Sequence, residues 1–206
     1  MSLREQKKQY NRTAILNTAG RLFFEQGYTK TTMAEVAKQS AVGVGTIYNY
    51  FPSKSDLLLN LFAAESDQLA LEPASFCAHD SPVQCIQDWV RSMVDFFRLY
   101  PKAFWREVMQ AFADNVDENR ELRKGLFQWD YQFIDQTEKL IATLQTQKKL
   151  DTDFSAKEAA ITLYSVLAFQ LLAFIYEEVM TEEELEARLE RQILFIFSEK
   201  TPATGE

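Results

Sequence analysis

The residues best equipped for chemistry in this 206-residue chain lie in the run TTMAEVAKQSAVGVGTIYNYFPSKSDLL, from Thr31 to Leu58. Their chemistry is recognition, not bond-making. Read as a short helix, the segment from about Val44 to Phe51 turns Ile47 and Phe51 inward at i, i+4. Val44, Thr46, Tyr48, Asn49 and Tyr50 are left on the outer face, offering methyl, hydroxyl and carboxamide groups beside the bare backbone of Gly45. Two short helices joined by a tight turn and followed by a third helix are how a chain builds an element to lay in the DNA major groove.

That face needs supports, and the flanking sequence supplies them. Thr32 with Glu35 is a T-x-x-E capping box that opens the helix before the turn, with Met33, Val36 and Ala37 facing inward. Ser40-Ala41-Val42-Gly43 ends it; Gly43 is expected to take the turn's backbone conformation and a buried Val42 to fix the interhelical angle. Pro52 stops the outer-face helix, and Ser53 with Asp56 opens another that runs to about Leu71 with Leu57, Leu58 and Leu61 apolar. Before all of these, residues 4–26 make a bracing helix with Ile15, Leu16, Ala19, Leu22 and Phe23 in one stripe and Gly27 where a C-cap is wanted. The basic residues at its start either reach phosphate or belong to a disordered tail.

The run AVGVGTIYNYFPSKSDLL, preceded by LFFEQGYTKTTMAEVAKQS, resembles the DNA-binding domain of the tetracycline-repressor (TetR) family of bacterial regulators over roughly residues 10–62. The resemblance implies a homodimeric, effector-responsive regulator, most often a repressor, on a near-palindromic DNA operator. It places Thr46 and Tyr48 on phosphate, with Lys54 beside them as a point charge and Thr32 presenting a hydroxyl at a helix N-terminus. Gly45 lets the backbone approach the duplex, while Val44, Asn49 and Tyr50 face base edges. Many relatives carry Ser at the position of Gly43 and Lys at that of Val44, so this chain lacks a side-chain cap and a basic contact.

Charge is divided in the same sense. Residues 1–62 hold 8 Lys and Arg against 4 Asp and Glu, a net +4, whereas the rest carries −12. A basic end suits phosphates and an acidic body is repelled by the duplex. The N-terminus has no apolar signal core and there are two cysteines, Cys77 and Cys85, so a cytoplasmic protein is expected.

Beyond residue 62 the apolar spacing is helical and strand-like alternation is missing, giving an all-α fold. The expected organisation is a helix-turn-helix DNA-binding domain over 1–62, a helical effector-binding and dimerisation domain over 63–200 and a disordered tail at 201–206. Residues 72–82 interrupt the pattern; helices follow over 82–99, 102–113, about 118–147 and 155–178, with a last one opened by Thr181 and Glu184. Trp89, Met93, Phe97, Trp105, Met109, Phe112, Trp129, Phe133 and Tyr164 share the inner faces of the middle helices. They either form plain core or line a site for a hydrophobic or aromatic effector, to which methionines adapt readily. The 155–178 segment is apolar all round, which suits burial on several sides better than a membrane span without basic flanks. Leu167, Leu171 and Phe174 on it, with Leu189, Ile193 and Ile196 on the last helix, are the expected four-helix dimer interface, unless both helices merely finish the monomer's core.

Other chemistry has little footing. Nucleophile elbow, P-loop, HExxH and GxGxxG motifs are missing, and Cys77, His79 and Cys85 fit no common zinc spacing. No enzyme activity, metal or cofactor is expected. The competing reading is an all-helical protein–protein adaptor with a vestigial helix-turn-helix.

Overall fold

The computed structural model describes residues 2–68, 81–113 and 119–198. Cys77, His79 and the 201–206 tail, each the subject of an expectation above, lie outside them. Among the described residues the chain is all-α, in the order α1 (Leu3–Gln26), α2 (Met33–Gln39), α3 (Val44–Tyr50), α4 (Lys54–Gln68), α5 (Pro82–Arg98), α6 (Lys102–Ala113), α7 (Arg120–Thr146), α8 (Ala156–Tyr176) and α9 (Glu182–Phe197). Six of the helix starts are capped as short polar side chains dictate. The backbone N–H three residues on donates to the side-chain oxygen of Ser2, Thr32, Ser53, Ser81, Ser155 and Thr181, each contact contributing about 1 kcal/mol.

Two local details differ from expectation. The basic N-terminus is helical from Leu3, because Ser2 and Glu5 form a reciprocal capping box. At Thr32 the box is only half made, since the Glu35 carboxylate accepts from Gln26 Nε2 at 2.8 Å.

The described residues separate into two compact units. The first takes in the chain up to Gln68 together with Tyr100–Leu126, hence α1–α4, α6 and the opening turns of α7. Here α1 packs on α2 and α4, and α2 on α3, around Ile15, Leu22, Phe23, Val36, Ile47, Phe51, Leu57 and Leu58, all at most 2% exposed. Phe62, Tyr100, Phe104 and Trp105 close this core with rings in mutual contact. Burial of such side chains supplies roughly 1.5–3 kcal/mol each.

The second unit holds α5, the remainder of α7, α8 and α9. Its core runs through Trp89, Val90, Phe133, Leu140, Ile141, Leu163, Leu167, Leu185 and Ile193. The buried Trp89 indole N–H is satisfied by Thr137 Oγ1 at 2.8 Å, as a buried donor requires. Arg98 ties α5 to α9 through Glu182 at 3.1 Å and through Glu186. Ala156–Tyr176 is long and apolar enough to cross a membrane, and one of its stripes (Ala160, Leu163, Leu167, Gln170, Leu171 and Phe174) is buried in this unit.

Candidate nucleic-acid interface

The interface is built from α2, the turn after it and α3. Val36 and Ala37 seat α2, while Ile47 and Phe51 seat α3; all four are at most 1% exposed. Anchoring by Ile47 at the middle of a seven-residue helix fixes which residues point outward. Val44 and Tyr48 are 49% and 48% exposed. Gly45 and Asn49 are exposed beside them, and Thr46 and Tyr50 are half-buried. Thr32 is exposed at the start of α2 although its hydroxyl caps the Glu35 N–H at 3.2 Å.

The turn corrects the role given to Gly43. Gly43 has φ −70° and ψ 149°, ordinary extended backbone at the start of α3, where it supplies no side-chain cap. The left-handed residue is Ala41, with φ +57°. The reason lies in the reversal: Val42 N–H donates to Ala37 O at 3.0 Å, the six-residue closure of a helix C-terminus that needs a left-handed residue just before the donor. Val42 itself is half-buried.

Gly45 has no intramolecular reason to be glycine. A Cβ placed there meets nothing within 4 Å. Glycine in an exposed helix is unfavourable by up to about 1 kcal/mol relative to alanine.

Lys54 is held within the first unit. Its ammonium donates to Tyr28 O at 3.0 Å and Thr29 O at 3.3 Å, and sits 4.3 Å over the Tyr28 ring. Burial lowers its pKa from the ordinary lysine value, and the nearby Glu107 carboxylate partly offsets that. Three N–H donors are available to a lysine, so one remains beyond the two carbonyls. Glu107, on α6, completes the arrangement by accepting the Thr29 N–H at 2.6 Å. Sequence periodicity pointed to neither the Lys54 clasp nor Glu107; α6 showed only an apolar stripe. Arg12 is likewise engaged, with Asn60 at 2.6 Å and over the Phe51 ring, whereas Arg4, Lys7, Lys8 and Lys38 are exposed.

The aromatic residues named as a possible effector lining are divided. Trp105, Met109 and Phe112 belong to the first unit, and Trp89, Met93, Phe97, Trp129, Phe133 and Tyr164 to the second. Within the second unit Trp89 stacks on Phe133 at 5.4 Å, Phe133 meets Tyr164 at 6.2 Å, and Trp129 packs on Phe96 at 4.7 Å. Trp89, Trp105 and Phe133 are at most 5% exposed; Met93, Phe97, Met109, Phe112, Trp129 and Tyr164 are half-buried.

The residues named for the dimer interface lie on the inward faces of α8 and α9. Leu167, Leu171, Phe174, Leu189 and Ile193 are at most 8% exposed inside the second unit's own core, and Ile196 is packed against it. The outward stripe of α8 is Ile161, Phe169, Leu172 and Tyr176, joined on α9 by Leu194 and Phe195. An all-round apolar helix gives its sequence no mark to tell one face from the other.

Known proteins match both the domain and the fold. Residues 15–61 match the family model for bacterial regulatory proteins of the tetR family. The uncharacterized HTH-type transcriptional regulator YuxN of Bacillus subtilis is 45% identical over 47 residues, 23% of this chain and 16% of its own length. The chain therefore spans well under two thirds of that curated relative. Among solved structures, a putative TetR-family transcriptional regulator from Rhodococcus sp. superposes with TM-score 0.71 at 15% identity, covering 92% of this chain and 99% of the other. Thermus thermophilus FadR, a TetR-family transcriptional repressor in complex with lauroyl-CoA, superposes with TM-score 0.65 at 22% identity over 95% of this chain and 100% of the other.

Proposed function

The helix-turn-helix of this chain is the DNA-binding domain of the bacterial TetR regulatory family, and from that premise we propose that the whole chain is a homodimeric, cytoplasmic transcriptional repressor released from DNA by a small effector. The observation that carries this reading is α3: a helix pinned by buried Ile47, with Val44, Gly45, Tyr48 and Asn49 turned outward together. Each protomer lays that helix in a major groove, and the two-fold relation of the protomers demands a near-palindromic operator. Thr46, Tyr48, Thr32 and the remaining Lys54 donor hold phosphates; Val44 meets a thymine methyl, and Asn49 and Tyr50 read neighbouring base edges.

The second unit supplies the protomer contact and the effector site. The apolar stripe on α8 and α9 suits a second copy, and the half-buried rings of α5 and α7 suit an apolar or aromatic ligand. An effector that prefers a conformer with wrongly spaced recognition helices lowers operator affinity by the same coupling energy, typically about 1–3 kcal/mol.

The test is a gel shift with DNA flanking the chain's own gene at several salt concentrations. A specific complex that weakens steeply with salt supports the reading; its absence favours an adaptor that has lost DNA binding.

A further inference from the structure

The stripe that seats α1 changes character along the helix. Ile15, Ala19 and Leu22 are apolar and at most 2% exposed. Continued toward the N-terminus at the same three- and four-residue spacing, the stripe passes through Arg12 and Lys8 to Arg4. Arg12 is the last of these held inside the first unit, by Asn60 on α4 at 2.6 Å and over the ring of Phe51, the C-cap of α3. From Tyr10 back to Ser2 every residue is exposed, so nothing in the unit packs on these turns. They are helical because Ser2 and Glu5 cap them, and the Glu5 carboxylate is occupied there by the Ser2 N–H at 2.7 Å. Among the described residues Arg4, Lys7 and Lys8 make no hydrogen bond or ion pair, whereas Arg21, Arg98, Lys124, Lys139 and Arg188 each meet an acid.

The position of this ridge gives it a partner. At 1.5 Å per residue, Lys8 lies about 6 Å and Arg4 about 12 Å beyond Arg12 along the α1 axis, and Arg12 itself touches the end of α3. The ridge is thus continuous with the candidate DNA interface. That interface is short of charge: α3 holds no lysine or arginine, and Arg12 and Lys54 are engaged within the unit. Phosphates recur about every 3.4 Å of axis along one strand of B-DNA, so three cations at this spacing can meet two or three of them. An anionic bilayer would need an apolar face to insert, and the same turns offer only Leu3 and Tyr10. The ridge also lies ahead of residues 15–61, the span that matches the family model, so it is a feature of this chain and not of the matched domain.

We propose that Arg4, Lys7 and Lys8 form a second phosphate-binding surface, which grips the DNA backbone beside the base pairs that α3 reads. This rests on the reading of α2 and α3 as a DNA-binding element. The ridge contributes affinity without sequence preference, because it meets phosphates and no base edges.

The test is fluorescence-anisotropy titration of the full chain with two duplexes over a range of salt concentrations. One duplex is the DNA flanking the chain's own gene; the other is an unrelated sequence of equal length. Arg4→Gln, Lys7→Gln and Lys8→Gln together keep helix propensity and break no internal contact. Affinity for both duplexes should fall at least about tenfold near physiological salt, with the salt slope shallower by about 2–3 per protomer. The ratio of the two affinities and the Tm should match the parent's. Lys7→Arg with Lys8→Arg, which keeps the charge, should bind as the parent does. An unchanged slope in the glutamine variant, or a loss confined to the gene-flanking duplex, overturns the ridge. So does binding to phosphatidylglycerol vesicles that needs these three residues while DNA affinity does not. A parent that prefers its flanking DNA but ignores the three substitutions sinks the ridge alone. Equal binding to both duplexes that depends on the three cations keeps the ridge and sinks the sequence-specific regulator; binding to neither sinks both.

Discussion

The Thr29 N–H donates to Glu107 Oε2 across 2.6 Å, joining the α1–α2 connector to a residue 78 positions further along the chain. The carbonyls on either side of that N–H along the chain, of Tyr28 and Thr29, accept from the Lys54 ammonium. The connector is thus held by an anion on its N–H side and a cation on its C=O side. Gly27 is part of the fit: its φ is +87°, and a Cβ there lies 2.7 Å from a Glu107 oxygen.

Glu107→Ala should therefore loosen the approach to α2, whose N-cap Thr32 lies three residues beyond Thr29, without removing a phosphate contact. Operator affinity is expected to fall about tenfold, the 1.4 kcal/mol scale of one charge-assisted hydrogen bond, with the slope of affinity against salt unchanged. Lys54→Ala, by contrast, should also flatten that slope by about one. Titrations at four or five salt concentrations separate the two. A shallower slope in the Glu107 variant would show that it acts through charge at the duplex and not through position.

Gly45 yields a prediction with opposite signs for stability and binding. Alanine there touches nothing in the free chain and favours the helix by up to about 1 kcal/mol, so Gly45→Ala should unfold at a higher temperature. A methyl group between α3 and a closely approaching DNA backbone should nevertheless weaken operator binding several-fold. If melting temperature and operator affinity rise together, the close approach at Gly45 is wrong.

Ala41 gives a cleaner stability test. A left-handed conformation is unfavourable for a residue with a Cβ by roughly 1–2 kcal/mol, and Ala41 holds φ +57°. Ala41→Gly removes that strain while adding some freedom to the unfolded chain. The net gain should raise Tm by about 1–3 °C with DNA affinity preserved, since Ala41 lies in the turn and off the outward face of α3. Calorimetry of the variant would refute this by showing a lower Tm.

Glu65 sets a pH dependence. Burial pushes its carboxyl above the ordinary carboxylate range, against the Tyr100 hydroxyl that donates to it at 2.7 Å. Its other oxygen is buried without a hydrogen-bond partner among the described residues. A folded-state pKa above the unfolded one means the folded chain binds more protons in that window, so the group's contribution to stability falls as pH rises from about 4.5 through the raised value. Glu65→Gln should raise Tm by about 1–2 °C at pH 7 and remove part of the loss of stability expected as pH rises above about 4.5. Identical pH profiles for the two chains would exclude this role for Glu65.

How much of this was legible beforehand follows from what periodicity can encode. The capping residues Thr32, Ser53 and Thr181 and the inward stripe of Ile15, Leu16, Ala19, Leu22 and Phe23 are local signals, and the helices form where those signals lie. Ala41 was hidden because its strain comes from closing the α2 terminus, and Gly43, two residues on, was the more obvious turn former. Glu107 was hidden for a different reason. Its meaning comes from Thr29, 78 positions distant in the chain, and no spacing rule reaches that far.

The same limit governs α8, where the apolar residues with two possible faces yield the last prediction. Phe169 is 65% exposed, Tyr176 54% and, on α9, Phe195 86%, an amount of bare aromatic surface that a second copy of the chain should cover. Phe169→Glu with Phe195→Glu places charges on that surface while leaving the core stripe of Leu163, Leu167, Leu171 and Phe174 untouched. The doubly substituted chain should sediment as a helical monomer in analytical ultracentrifugation, where the parent is expected to sediment as a dimer. Its operator affinity should fall at least a hundredfold, because one recognition helix then binds without its two-fold mate. A double variant that stays dimeric would move the interface to another face, and a parent that sediments as a monomer would remove the two-fold operator from the reading altogether.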